Sequence, residues 1–258
     1  MLIVTLNSQH PFEVATWDEF TAALAAGEDW IKLTDNISNA TSYDLKINVK
    51  LDLGGKSLEI SNPELMLNIF STATIKNGTI KGKVYARTNS NIMFDGVTFG
   101  GTIKFKSTEA SLQIQNNCVV YAKNCTFNAT ASGNQTRPLS TEYGNKIGDY
   151  KFENCSFKSN NNQGQVYVNY MNGPIKVNFT GCSFKNAFGW NKAANIDMNS
   201  SYSLSNLTLK NNTGGFTITL NRASTSLTEE DLAIYKAIKD NNNGTKRFIF
   251  TDGEKNNL

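Results

Sequence analysis

Among 258 residues there are one histidine, His10, four prolines, four cysteines and four arginines. With so little histidine and no CxxC pair, the sequence offers no zinc or haem motif, and no metal or cofactor is expected. Four prolines exclude a collagen-like or proline-rich chain. Charged residues are 18% against a usual value of about 25%, and the net charge is +3. That balance is too mild to point to nucleic acid, and no charge run is long enough to suggest disorder. No stretch approaches 18 apolar residues, so no membrane-spanning helix is expected. The opening MLIVTLNSQHPFEV lacks a basic start and a small-residue cleavage site. The expectation is therefore synthesis in the bacterial cytoplasm without a secretory leader.

Uncharged polar residues fill the gap, above all 35 asparagines. Many sit in a repeat. Leu53–Leu58, Ile75–Ile80, Phe94–Phe99, Ala122–Phe127, Phe152–Phe157, Phe179–Phe184 and Leu204–Leu209 share one six-residue grammar. It runs apolar, polar, Gly or Asn, a varied fourth residue that is Cys in three copies, Ser or Thr, then large apolar. The third column is Gly55, Asn77, Gly96, Asn124, Asn154, Gly181 and Asn206. Gly and Asn enter the left-handed region most cheaply, so this column predicts a bend made once per repeat. Period-two alternation points the first, fourth and sixth columns inward and the fifth toward water. Phe99, Phe127, Phe157 and Phe184 then form a core stack, and Cys125, Cys155 and Cys182 form a column of small buried side chains. Parallel thiol vectors suit a disulfide badly, so free thiols are expected.

A repeat of 20–30 residues with short strands, bends and no helix predicts an all-β solenoid, each unit burying its apolar face only by stacking. The pattern strongly resembles the right-handed parallel β-helix of the pectate-lyase-like superfamily over roughly residues 30–220. Handedness is implied by that resemblance and by the crossover rule. Both ends carry capping signals. Thr16-Trp-Asp-Glu19 is a capping box opening an amphipathic stretch with Phe20, Leu24 and Trp30. Thr228–Lys239 reads as a second helix capped by Thr228 or Ser226, and Arg247–Phe250 as a final strand. One domain is expected: residues 1–30 as N-terminal strand and capping helix, 31–222 as coils, and 223–258 as C-terminal helix and strand.

Many relatives implied by the resemblance cleave polysaccharides, using an adjacent Asp pair, a Gly-His-Gly, an Arg-x-Lys or calcium-binding carboxylates. The sequence has no Asp-Asp pair, and His10 precedes the repeats. The best carboxylate pair is Asp149 and Glu153, with Asp95 stacking beneath Glu153 in a second column of mixed charge. A glycosidase needs two carboxyls roughly 5–10 Å apart. Lys81, Lys158, Lys185 and Lys210 form a broken lysine row that reads as a solvated edge.

Longer connections near 128–149, 158–166 and 185–195 bring Arg137, Tyr143, Tyr167, Tyr170 and Trp190 toward one insert-bearing face. These five are the candidate binding residues, able to stack sugars or anchor a protein neighbour. The leading expectation is a non-enzymatic structural or interaction protein on a phage virion surface, such as a capsid decoration, fibre or spike component. Its partners would be protein neighbours, in a homotrimer or against a capsid protein, and a surface glycan, with no nucleic acid and no membrane. The alternatives are a polysaccharide lyase or glycoside hydrolase built on Asp149 and Glu153, and a bacterial extracellular carbohydrate-binding or adhesin module.

Overall fold

The computed structural model describes residues 10–62, 65–100, 110–129, 137–159, 166–171, 174–186, 194–244 and 246–255, and not the side chains of Tyr170 and Asn186. The chain is predominantly β. Its strands form two long parallel sheets. The first has a main path of nine strands, from Phe12–Val14 to Leu207–Lys210, with six short strands branching beside it. The second has ten strands, from Tyr43–Leu45 to Gly253–Glu254. From Cys118 the chain visits main path, branch and second sheet in rotation: Cys118–Lys123, Thr126–Ala129, Arg137–Thr141, then Gly148–Glu153, Ser156–Ser159, Val166–Met171, and on. Among the described residues only the final pairing, Ile249 with Glu254, is antiparallel. This arrangement is compatible with a β-helix-like fold.

The main path and the branch meet at the bend that the repeat predicts. Gly55, Asn77, Gly96, Asn124, Asn154 and Gly181 all have φ between 52° and 78°. Asn206 does not belong with them. It ends a short 3-10 turn, Leu204–Asn206, whose cap Ser203 accepts a hydrogen bond from the Ser205 amide. The left-handed residue is Asn211, at φ 56°, because Phe179 pairs with Leu209 and Thr180 with Lys210. Leucines at 204 and 209 satisfy the apolar pattern in either frame, which is why the sequence misplaces the last copy by five residues.

The first copy is also shifted. Leu51 pairs with Ile75 and Ser57 with Thr79, so this bend carries two extra residues. Leu53 turns in at the bend and packs on Gly78, where a Cβ would come within 2.4 Å of the Leu53 Cβ. The fifth column is less wet than expected. Thr79, Thr98, Thr126, Ser156 and Ser183 are half-buried, and Ser57 is buried, its amide donating to Asn36 Oδ1 at 2.8 Å. Neighbouring rungs cover these short side chains on both sides.

The interior holds two phenylalanine ladders. Phe99, Phe127, Phe157 and Phe184 stack nearly parallel, with centroids 4.5, 4.8 and 5.3 Å apart. Phe152 and Phe179 stack at 4.9 Å in the first column and meet the other ladder edge to face. Offset and edge-on contacts of this kind add to the gain from area burial. Cys118, Cys125, Cys155 and Cys182 are buried and free. The Cys155 thiol and burial push the Cys125 thiol well above the usual thiol range, and burial raises the Cys118 thiol.

Both helix-start signals are met. The α1 helix, Trp17–Ala26, has the full Thr16–Glu19 capping box and buries Phe20, Ala23 and Leu24. Gly27, left-handed at φ 87°, stops it, so Trp30 lies in the strand Trp30–Leu33 and not in the helix. The α2 helix, Glu229–Asp240, is capped by Thr228 rather than Ser226. Beyond Cys182 the small-residue column continues as buried Asn212 and Asn242. Asn212 Oδ1 accepts from the Cys182 amide, and Asn242 Oδ1 accepts from the Asn212 amide.

Candidate functional site

On the outer face of the main path the pairing register sorts charge into a row. In sequence of pairing the row runs Glu13, Lys32, Asp52, Lys76, Asp95, Lys123, Glu153, Thr180 and Lys210. Charge alternates strictly until Thr180 interrupts it. Lys32 meets Glu13 at 2.8 Å and Lys76 meets Asp52 at 3.3 Å. The bend asparagines join in, Asn77 donating to Asp52 and Asn124 to Asp95. Asp52 is consequently held below the usual carboxylate range: burial opposes this, but the Gly54 amide, Lys76 and Asn77 outweigh it.

The densest cluster on this face is Tyr121, Lys151 and Glu153. Lys151 reaches Glu153 at 2.7 Å, its ammonium lies 4.8 Å from the centre of the Tyr121 ring, and Tyr121 donates its phenol to Glu153 Oε2. Lys151 and then Tyr121 pull the Glu153 pKa down, while Glu153 holds the Tyr121 phenol up at about 12. The pair is therefore a carboxylate anion beside a neutral phenol at neutral pH. Asp149 faces the same way four residues earlier on the strand, about 13 Å from Glu153 along an extended chain. Lys151 stands between the two acids on the same face and pairs with Glu153. Asp95 lies two strands from Glu153 with Lys123 between them. Beside the cluster is a hollow of about 280 Å³ lined by Asp149, Lys151, Lys176, Asn178, Asn206 and Thr208, among others.

The remaining candidate residues lie toward the second sheet. Arg137 opens a strand, and its guanidinium carbon stacks 4.4 Å from the Tyr167 ring centre. Tyr143 is 70% exposed on the turn that follows. Tyr170 sits in the strand Val166–Met171, its side chain outside the description, and Trp190 lies outside the described residues altogether. The stretch 128–149 contains a strand of its own, Arg137–Thr141, and Tyr143 lies on the turn between that strand and Gly148–Glu153; the rest of the three long connections lies largely outside the described residues. Lys210 leaves the lysine row for the charge row above, whereas Lys158 and Lys185 do pair and Lys81 meets Glu59 at 3.4 Å.

Sequence reading missed Tyr121 and Lys151. Tyr121 and Lys123 alternate on one strand, as do Lys151 and Glu153, but only the pairing register shows that these couples abut. Among the described residues no three His, Cys, Asp or Glu side chains are placed to hold a metal, and no helix is long and apolar enough to cross a membrane. No family model, curated protein or solved structure matches this chain.

Proposed function

We propose that this chain is a right-handed parallel β-helix of the pectate-lyase-like kind that serves as a non-enzymatic structural or interaction protein on a phage virion surface. The charge row carries this reading. A catalytic face needs an acid poised to release a proton or a base free to take one. Here Glu153 is committed to Lys151 and Tyr121, and Asp52 to Lys76 and Asn77. Groups spent on holding neighbouring rungs together suit a stiff element that positions surfaces.

The test is a panel of acidic and neutral polysaccharides, followed for new reducing ends and for unsaturated products. Turnover lost in Glu153→Gln or Asp149→Asn overturns the reading. No turnover, with the chain co-purifying in an assembled particle, supports it. A second reading, a bacterial carbohydrate-binding module, draws on the hollow beside Lys176, whose amides, hydroxyls and opposed charges match the hydrogen-bonding edge of a sugar. Calorimetry with oligosaccharides on the wild type and on Asn178→Ala separates the two.

A further inference from the structure

We infer that the face around Val119 and Ile147 docks on the same face of a second copy of this chain, about a two-fold axis. This deepens the reading of the chain as an interaction protein by naming the partner, and it rests on that reading.

Among the described residues, the exposed large apolar side chains are Phe12, Phe70, Val119, Tyr143, Ile147 and Leu232. Three of them are isolated. Phe12 lies in the first strand and Leu232 in α2, while Phe70 is flanked by Arg87 and Lys46, 5.8 and 6.0 Å from its ring centre. The other three come from one region. Val119 pairs in register with Asp149, and Ile147 stands two residues before Asp149, its carbonyl accepting from the Asn117 amide at 2.7 Å. Val119 and Ile147 are therefore diagonal neighbours on adjacent rungs, 45% and 53% exposed. Tyr143 lies on the turn that delivers Ile147. Single exposed apolar residues are ordinary, whereas apolar neighbours from two rungs are what a contact surface presents.

The turn is built to hold Ile147 in place. Six residues separate Thr141 from Gly148, against three between Ile114 and Cys118 one rung earlier. The added length is tied down. Asn116 Oδ1 accepts from the amides of Lys146 and Ile147 at 2.8 and 3.1 Å. The buried Asn145 side chain donates to Ile114 O and to the Tyr150 hydroxyl. A contact residue already ordered in the free chain loses little entropy on docking.

The charges beside the patch select the partner. Lys146 directly precedes Ile147 and Asp149 follows it by two residues; both are exposed. Neither side chain has an ion-pair or hydrogen-bond partner among the described residues, and Lys176, the register partner of Asp149, forms no ion pair with it. Elsewhere on this face opposite charges on adjacent rungs do meet, as in Lys32 with Glu13 and Lys76 with Asp52. A free cation before the apolar centre and a free anion after it make the patch complementary to itself. Under a two-fold axis, contacts are reciprocal: Lys146 of each copy meets Asp149 of the other, and the apolar side chains close around the axis. A foreign partner would have to bring both charges in matching order.

The experiment is sedimentation of the full chain from about 1 to about 300 µM, at low salt. Expected is a reversible dimer, weakened about tenfold by Ile147→Thr and severalfold by Lys146→Glu or Asp149→Lys alone. Exchanging both charges in one chain, Lys146→Glu with Asp149→Lys, should recover most of the loss, because only a copy of the same chain carries both exchanges. Unchanged melting of each variant excludes a folding defect. A monomer across the range, which would hand the face to a different partner, overturns the inference; so does a trimer, a dimer indifferent to Ile147→Thr, or a double exchange no better than either single one. A monomer without polysaccharide turnover removes this interface and leaves the interaction reading intact. Turnover by a chain that still dimerises in this way removes that reading and leaves the interface.

Discussion

The side-chain oxygen of Asn154 occupies the space where Gly181, on the next rung, would carry a Cβ: the two would stand 2.5 Å apart. Both residues are left-handed, at φ 52° and 65°. At this pair the bend restricts the residue that follows it one rung later, whereas a Cβ at Gly96 would meet Asn77 Oδ1 at an ordinary 3.7 Å. Asn154→Val should destabilise the protein by about 1–3 kcal/mol, because a β-branched residue is strained at that φ. Asn154→Gly should cost much less. Gly181→Ala should fall between them, and pairing it with Asn154→Gly should recover part of the loss by removing the clash. Chemical denaturation of the four proteins checks the order.

The alternating row predicts an asymmetric response to charge reversal. Lys76→Glu would place three acids on adjacent rungs, Asp52, position 76 and Asp95. It should cost about 1–2 kcal/mol at low salt, since like charges directly opposite repel by several tenths of a kcal/mol each. Lys76→Gln should cost less than half of that. Raising salt to about 1 M should close most of the gap between the variants, because the Debye length falls to about 3 Å. Urea unfolding at two salt concentrations measures it.

Glu153 gives a pH signature. Its folded pKa lies below the unfolded value, so its stabilising contribution is complete above the unfolded carboxylate range and fades as pH falls through the folded pKa. Melting temperature in Glu153→Gln should therefore trail wild type at pH 7 and converge on it in acid, below about pH 4. The side chain is only partly buried, so the difference should be small and salt-sensitive. Tyr121→Phe should show a weaker version of the same trend.

Buried thiols should label slowly. All four cysteines should resist a thiol reagent in native buffer and react together once the chain unfolds. Mass spectrometry should find no bond between Cys125, Cys155 and Cys182. Fast labelling of any of them in the folded protein would contradict the packing around the phenylalanine ladders.

The repeat was legible where local chemistry demands it. Asn77, Asn124 and Asn154 must turn left-handed, and Phe127 must point in, so pattern alone located both. Thr16 and Glu19 announced a helix start for the same reason. Register was not legible. Nothing local distinguishes Asn206 from Asn211, since each follows a leucine and a polar residue; only the partner strand Lys176–Thr180 decides between them. The same limit hid the charge row, because Gly54 and Ser205 stood where Asp52 and Lys210 belong. The arginine stack was invisible for a further reason: Arg137 and Tyr167 are thirty residues apart, and their contact exists only across paired strands.

Asn242 commits its whole carboxamide. Its two N–H groups go to Leu209 O and Ile238 O, and its oxygen accepts from both the backbone and the side chain of Asn212. Nothing is left to greet another layer. The number of rungs is therefore recorded at one terminus by a side chain with no spare valence, much as a chain-terminating unit ends a polymer. Lengthening by duplication should be tolerated among the thiol-bearing repeats, where each layer resembles the next, and refused after Asn242.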